Sequence, residues 1–139
     1  TIREMKVHGE NYATDIIRNA QALGSALDTA GVPVEAKEFG FTQSHQIAIN
    51  VSSFGPGKEI ARRLAESNII CNYNMLPGDQ DPRNPSGLRI GVQEMTRCGM
   101  GPEQMGELAE LMTAVIAKQK SVTNEVVQLR SRFSEVRYC

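Results

Sequence analysis

Arg89 stands between Leu88 and Ile90 in the stretch NPSGLRIGVQEMTRCGM, residues 84–100. Leu88, Ile90 and Val92 alternate around it, so a strand that packs those three inward turns the arginine to the opposite side. An arginine so placed is either solvated or held ready for a ligand, and the residue alone favours solvent. Other residues capable of chemistry assemble less. GPGKE, residues 55–59, precedes a helical pattern but lacks the spacing and the Ser or Thr after lysine of a phosphate loop. It reads as a Gly-Pro turn and helix cap. Gly99 and Gly101 are short of a dinucleotide fingerprint. His8 reads as a solvated helix residue. His45, at the entry to a strand, reads as structural, because no second ligand-forming residue pairs with it. Cys71, Cys98 and Cys139 are odd in number and far apart, which fits free thiols in a reducing cytoplasm.

The elements that must position these residues follow from apolar spacing. Met5, Tyr12, Ile16, Ala20, Leu23, Leu27 and Ala30 recur at helical intervals and predict one long helix over 4–30, stopped by Gly31 and Pro33. Strands are expected over Val34–Phe39 and Gln46–Val51, joined by a short link and paired antiparallel. A helix over Lys58–Ser67, a short strand at Ile69–Cys71 and a Pro- and Gly-rich loop over Met75–Gly87 come next. Leu88–Val92 is the last strand. Pro102 opens a helix to about Lys118, and Val122, Val126, Leu129, Phe133 and Val136 stripe a final one. This order predicts an α/β chain of the α+β type: a small, mainly antiparallel sheet of three to four strands with helices on one face. The other face would be open, and Arg89 would point from it.

A chain of 139 residues suits one domain, 1–139, with its own core. Fifteen basic and sixteen acidic residues nearly cancel, which leaves no electrostatic footprint for nucleic acid or an anionic membrane. No apolar run is long enough to span a bilayer. The sequence starts at Thr1 and runs straight into a helical pattern, which suggests a piece of a longer polypeptide.

Over NYNMLPGDQDPRNPSGLRIGVQEMTRCGM the chain resembles the C-terminal domain of serine hydroxymethyltransferase, a pyridoxal-phosphate family of the aspartate-aminotransferase fold (fold type I). Asn74, Pro77, Ser86, Gly87, Arg89, Gly91, Thr96 and Arg97 stand at matching places. NAQALGSAL (19–27), FTQSHQIAINV (41–51) and VVQLRSRFSEVRYC (126–139) extend the match in order over nearly the whole chain. Two stretches depart from the pattern: GVQEM replaces Gly-Thr-Pro-Ala after the arginine, and Gln43-Ser44 replaces Asp-Asn before His45.

The resemblance implies that Arg89 binds the α-carboxylate of the amino-acid substrate, as a planar guanidinium does through two parallel hydrogen bonds. It implies that Asn74 contacts the pterin of tetrahydrofolate or of a modified relative, and that His45 is structural at a domain interface. The implied reaction is the reversible exchange of a one-carbon unit between serine and glycine, in a cytoplasmic homodimer. Pyridoxal phosphate and its lysine would belong to a large domain absent from this chain, because none of the five lysines has the family's surroundings. The isolated chain is therefore expected to be inactive. An α-methylserine hydroxymethyltransferase, a transaldolase, a threonine aldolase-like enzyme and a stand-alone, non-catalytic interaction module stay open as alternatives.

Overall fold

The computed structural model describes residues 2–138. Its elements run α1 (Ile2–Thr29), β1 (Gln46–Asn50), α2 (Gly57–Glu66), β2 (Asn72–Asn74), β3 (Gly87–Gly91), α3 (Gln93–Arg97), α4 (Pro102–Lys118) and α5 (Thr123–Ser131). The three strands form one antiparallel sheet in the order β1-β3-β2, which puts the strand carrying Arg89 in the centre. This is the expected α+β arrangement, with three strands.

Alternation divides the sheet as the sequence requires. Ile47, Ile49, Leu88 and Ile90 are almost completely buried and join Leu23, Leu27, Ile60, Leu64, Met105 and Met112 in one core. Each such side chain contributes roughly 1.5–3 kcal/mol through burial. Helices α1, α2 and α4 cover this face: α1 packs along α4, and α2 lies against both α4 and β2. The second half of α1 buries Asn19, Ala20, Leu23, Gly24 and Leu27, whereas Ile2, Met5 and Val7 in its first half are exposed.

Three expected elements differ. Val34–Phe39 is not a strand: Val34 makes a single antiparallel bridge with Ile49, and Lys37–Phe39 is a turn of 3₁₀ helix. Ala36 takes a left-handed φ of 57°, which ends the extended path, and Phe39 faces solvent, so no alternating face exists to pair. The strand expected at Ile69–Cys71 lies at Asn72–Asn74 instead. Asn68 turns the chain at φ 62° and Ile69 drops into the core while Ile70 stays exposed, so pairing begins only past them. Helix α3 is an addition to the expected set, because five residues are too few to show a period. The final helix is shorter than its apolar stripe. It stops at Ser131, and the following tail is fastened by the Arg137 amide donating to the Arg97 carbonyl at 2.8 Å.

The β3 entry depends on Gly57. Its amide donates to the Pro85 carbonyl at 3.0 Å, and a Cβ there would lie 2.6 Å from that oxygen and 3.1 Å from the Gly87 carbonyl oxygen. Gly57→Ala should therefore destabilise the chain by about 1–3 kcal/mol in thermal unfolding. Gly106→Ala, on α4 with nothing within 4 Å of the added Cβ, should be neutral or raise stability by up to about 1 kcal/mol. Equal responses at the two sites would contradict the close approach.

Candidate functional site: the open face of the sheet

Directly opposed residues on antiparallel strands point to the same side. Arg89 is opposed by Ala48 on β1 and by Asn72 on β2, and the same parity adds Gln46, Asn50, Asn74, Gly87 and Gly91 to its face. Among these eight positions there is one charge, the guanidinium of Arg89, and no acid. Arg89 is exposed, and its side chain makes no hydrogen bond or ion pair with any described residue. The structure thus places it where alternation predicted, on the side away from the core.

The surroundings are shaped to leave it reachable. Its two neighbours on the same face of β3 are glycines, and each vacancy is filled by another side chain. A Cβ on Gly87 would lie 2.5 Å from Leu76 Cγ and 2.8 Å from the Asn74 carbonyl oxygen, so Leu76 lies over that position. A Cβ on Gly91 would lie 2.5 Å from Gln93 Oε1, so the Gln93 carboxamide lies over the other end. Arg89 therefore stands between a leucine and a carboxamide along its strand, with alanine on one side and asparagine on the other. Asn50 is already engaged, accepting from the Ser52 amide at 3.1 Å and its hydroxyl at 2.7 Å. Asn72 and Asn74 make no side-chain hydrogen bond with described residues.

Asp79 holds the loop between β2 and β3 in place. Its carboxylate accepts from the Leu76 amide and the Ser86 amide, both at 2.9 Å, and so ties the two ends of the loop together. These bonds favour the ionised form and hold its pKa below the ordinary carboxylate value. Ser86 is fixed a second time by its carbonyl, which accepts from the Val51 amide at 2.9 Å. On the far side of β3, Asn19 donates to Thr96 Oγ1 at 2.9 Å and to the Met100 carbonyl at 2.8 Å, which moors α1 to the turn after the strand.

The remaining residues noted from sequence lie apart from Arg89 or serve the scaffold. Arg97 pairs with Glu4 at 3.6 Å. His45 is exposed, and its bond here is made by its backbone carbonyl, which accepts from the Val92 amide at 3.0 Å. His8 is not simply solvated: it is half-buried and meets the Tyr138 ring edge-on at 6.2 Å. Cys71 and Cys98 are free thiols, and burial pushes the Cys71 pKa up to about 11, which makes it a poor nucleophile. Cys139 lies outside the described residues. The departing segment GVQEM forms the corner into α3, where the Gln93 carbonyl accepts from the Tyr12 hydroxyl at 2.9 Å. An apolar groove of about 690 Å³ opens beside α4 and α5, lined by Ile69, Ile70, Met95, Met112 and Leu129; it includes neither Arg89 nor Asn74. No described helix is long and apolar enough to cross a membrane.

Sequence reasoning missed Asn72, Leu76, Asp79 and Gln93 as parts of this face. Asn72 could have been found by its period-two spacing to Asn74, had β2 been put in the right register.

Comparison with known proteins gives a consistent set of relatives. The family model described as serine hydroxymethyltransferase matches residues 3–112. The serine hydroxymethyltransferase of Saccharolobus islandicus is 49% identical over 144 residues, covering 99% of this chain and 33% of the relative. That of Pyrobaculum islandicum is 46% identical over 140 residues, with the same two shares. The chain spans about a third of the length of these curated relatives. Among solved structures, the L-threonine transaldolase from Pseudomonas fluorescens superposes with a TM-score of 0.86 at 27% identity, over 98% of this chain and 32% of that one.

Because the Asp79 bonds favour its ionised form, their stabilisation is complete above the unfolded value of about 3.9 and is lost as pH falls through the lower folded value. In an acid titration followed by NMR, the Leu76 and Ser86 amides should shift and lose exchange protection below about pH 4, ahead of amides in α4. In Asp79→Asn they should be weakly protected already at neutral pH. Protection unchanged by the substitution would mean that the loop is held by other contacts.

Proposed function

Because the chain belongs to the serine hydroxymethyltransferase family, we propose that it is the small C-terminal domain of an enzyme that exchanges a one-carbon unit reversibly between serine and glycine. The observation that carries this reading is Arg89: an exposed guanidinium at the centre of the sheet, on a face with no acid to neutralise it. Its role is to grip the substrate α-carboxylate through two parallel hydrogen bonds and so fix how the amino acid is presented to the rest of the active site. When the domain closes on its large-domain partner, water leaves the pair and the attraction strengthens. Asn74, diagonal to Arg89 on the same face, contacts the pterin of tetrahydrofolate or of a modified relative through its side-chain amide.

Pyridoxal phosphate is implied by the family, where it withdraws electrons from the substrate Cα. The residues present do not fit it. Lys6, Lys37, Lys58, Lys118 and Lys120 are all exposed, and none shares the Arg89 face. The cofactor is therefore assigned to polypeptide beyond these residues, and nothing proposed for this chain passes through it. The complete enzyme is read as a cytoplasmic homodimer in which this domain supplies carboxylate and pterin contacts, and the chain alone is inactive.

The likeness to the L-threonine transaldolase favours one second reading, a related enzyme acting on a 3-hydroxy amino acid without pterin. Arg89 would keep its role there and Asn74 would lose its own. The identities of 46–49% to serine hydroxymethyltransferases favour the first reading.

In the complete enzyme, Arg89→Ala should lower kcat/KM for serine by about two to three powers of ten, the loss expected when one partner of a desolvated charge pair is removed. Arg89→Lys should recover only part, since an ammonium lacks the two-pronged geometry. Unfolding should shift by no more than about 0.5 kcal/mol, because the side chain lies outside the core. Near-normal kinetics in Arg89→Ala would overturn the carboxylate role.

Asn74→Ala should weaken pterin-dependent turnover several-fold, as for a lost neutral hydrogen bond of about 1 kcal/mol. Pterin-independent cleavage of a 3-hydroxy amino acid should be left alone. Equal losses in both assays would make Asn74 a residue that only shapes the loop.

A further inference from the structure

Asn72 is the one polar side chain directly opposed to Arg89. It sits on the edge strand β2 at the same level as the arginine on the central strand, while the opposing position on β1 is Ala48. Direct cross-strand partners bring their Cβ atoms to about 4.5–5.5 Å, within reach of one shared ligand. Asn72 is exposed and makes no side-chain hydrogen bond with described residues, unlike Asn50 on the same face, whose oxygen is taken by Ser52. Edge strands tolerate and often carry charge, and an acid here would pair with Arg89 and cancel the only charge on the face. A carboxamide at this place is neutral and can still donate two N–H bonds.

We propose that Asn72 is a second determinant of substrate recognition: its side-chain N–H donates to the carboxylate that Arg89 grips, and its neutrality keeps the guanidinium uncommitted until that carboxylate arrives. This deepens the assignment of Arg89 and rests on it. The role differs from that proposed for Asn74, because Asn72 lies beside the arginine and Asn74 lies one step along the strand, opposite Gly87.

The test uses the complete enzyme carrying Asn72→Ala, Asn72→Asp, Arg89→Ala and the Asn72→Asp/Arg89→Ala double substitution, with KM for serine and for the pterin measured in each. Asn72→Ala should raise KM for serine about three- to tenfold, the size of one lost hydrogen bond. Asn72→Asp, almost the same shape, should raise it on the order of a hundredfold, because the new carboxylate occupies the arginine and repels the substrate. KM for the pterin should stay within about twofold of the parent, the change expected of a position that does not touch it. In the double variant the part of the Asn72→Asp effect that comes from occupying the arginine should disappear, so the combined loss should fall short of the product of the two single losses; independent effects would multiply in full. If Asn72→Asp leaves KM for serine unchanged while Arg89→Ala raises it, the Asn72 role is overturned and the carboxylate role of Arg89 stands. If Arg89→Ala itself leaves KM unchanged, both fall together. Should Asn72→Asp fail to fold, Asn72→Ala decides: a serine KM within about twofold of the parent overturns the role.

Discussion

At the entry to β3 three stretches of backbone meet more closely than side chains would allow. The first turn of α2 approaches through Gly57, whose amide bonds the Pro85 carbonyl, and Leu76 closes over Gly87 from the loop side. Two missing Cβ atoms make both approaches possible. The Val51 amide takes the Ser86 carbonyl from a third direction, so the residue two positions before Leu88 is already fixed when the strand begins. From that point the register follows: Leu88 and Ile90 go into the core, and Arg89 is left on the far side. A slip of one residue would bury the guanidinium and expose both aliphatic side chains, an outcome costly on both faces.

The open face works because it is nearly featureless around its one charge. Glycine, alanine and carboxamides surround Arg89, and none of them offers a competing carboxylate. An arginine on a soluble domain usually gains little from an exposed ion pair. Keeping its side chain unpaired costs little stability here and leaves its full hydrogen-bonding capacity open, as the carboxylate role proposed for it requires. Elsewhere the chain does use its arginines structurally, as in Arg97 with Glu4 and in Arg62 with Glu66 one helical turn apart. The contrast between those paired arginines and Arg89 sets Arg89 apart more sharply than its sequence motif does.

Some of this is legible from sequence and some is not, for physical reasons. Alternation in Leu88, Arg89, Ile90 is decisive because a strand buried on one face leaves no choice of side. The long helices are equally legible, since many turns repeat the same apolar spacing. Val34–Phe39 misleads because its alternation covers one buried residue, Val34, before a left-handed Ala36 ends it. Ile69–Cys71 misleads because apolar content is not pairing: Ile69 fills the core from a turn, and the strand that follows is polar on both sides of Tyr73. That shift hides Asn72, because a residue left between the expected strand and the expected loop is given no face. Asp79 and Gln93 are illegible for a different reason: their partners are backbone groups and a glycine vacancy that exist only after the chain has turned back.

The departure from the family pattern after Arg89 has a structural counterpart in the same corner. Gln93 does two things at once: its carbonyl holds the Tyr12 hydroxyl of α1, and its carboxamide lies over Gly91 beside the arginine. The long helix is thereby tied to the end of the central strand by Tyr12 at one level and by Asn19, through Thr96 and Met100, at another. Both ties sit on the α1 side of β3, whereas Asp79 and Gly57 secure its other end. The strand is consequently held at both termini by groups that make no hydrogen bond to the Arg89 side chain. The carboxylate role proposed for Arg89 would call on that combination: a fixed backbone that sets where the guanidinium starts, and a long side chain that can adjust to a ligand.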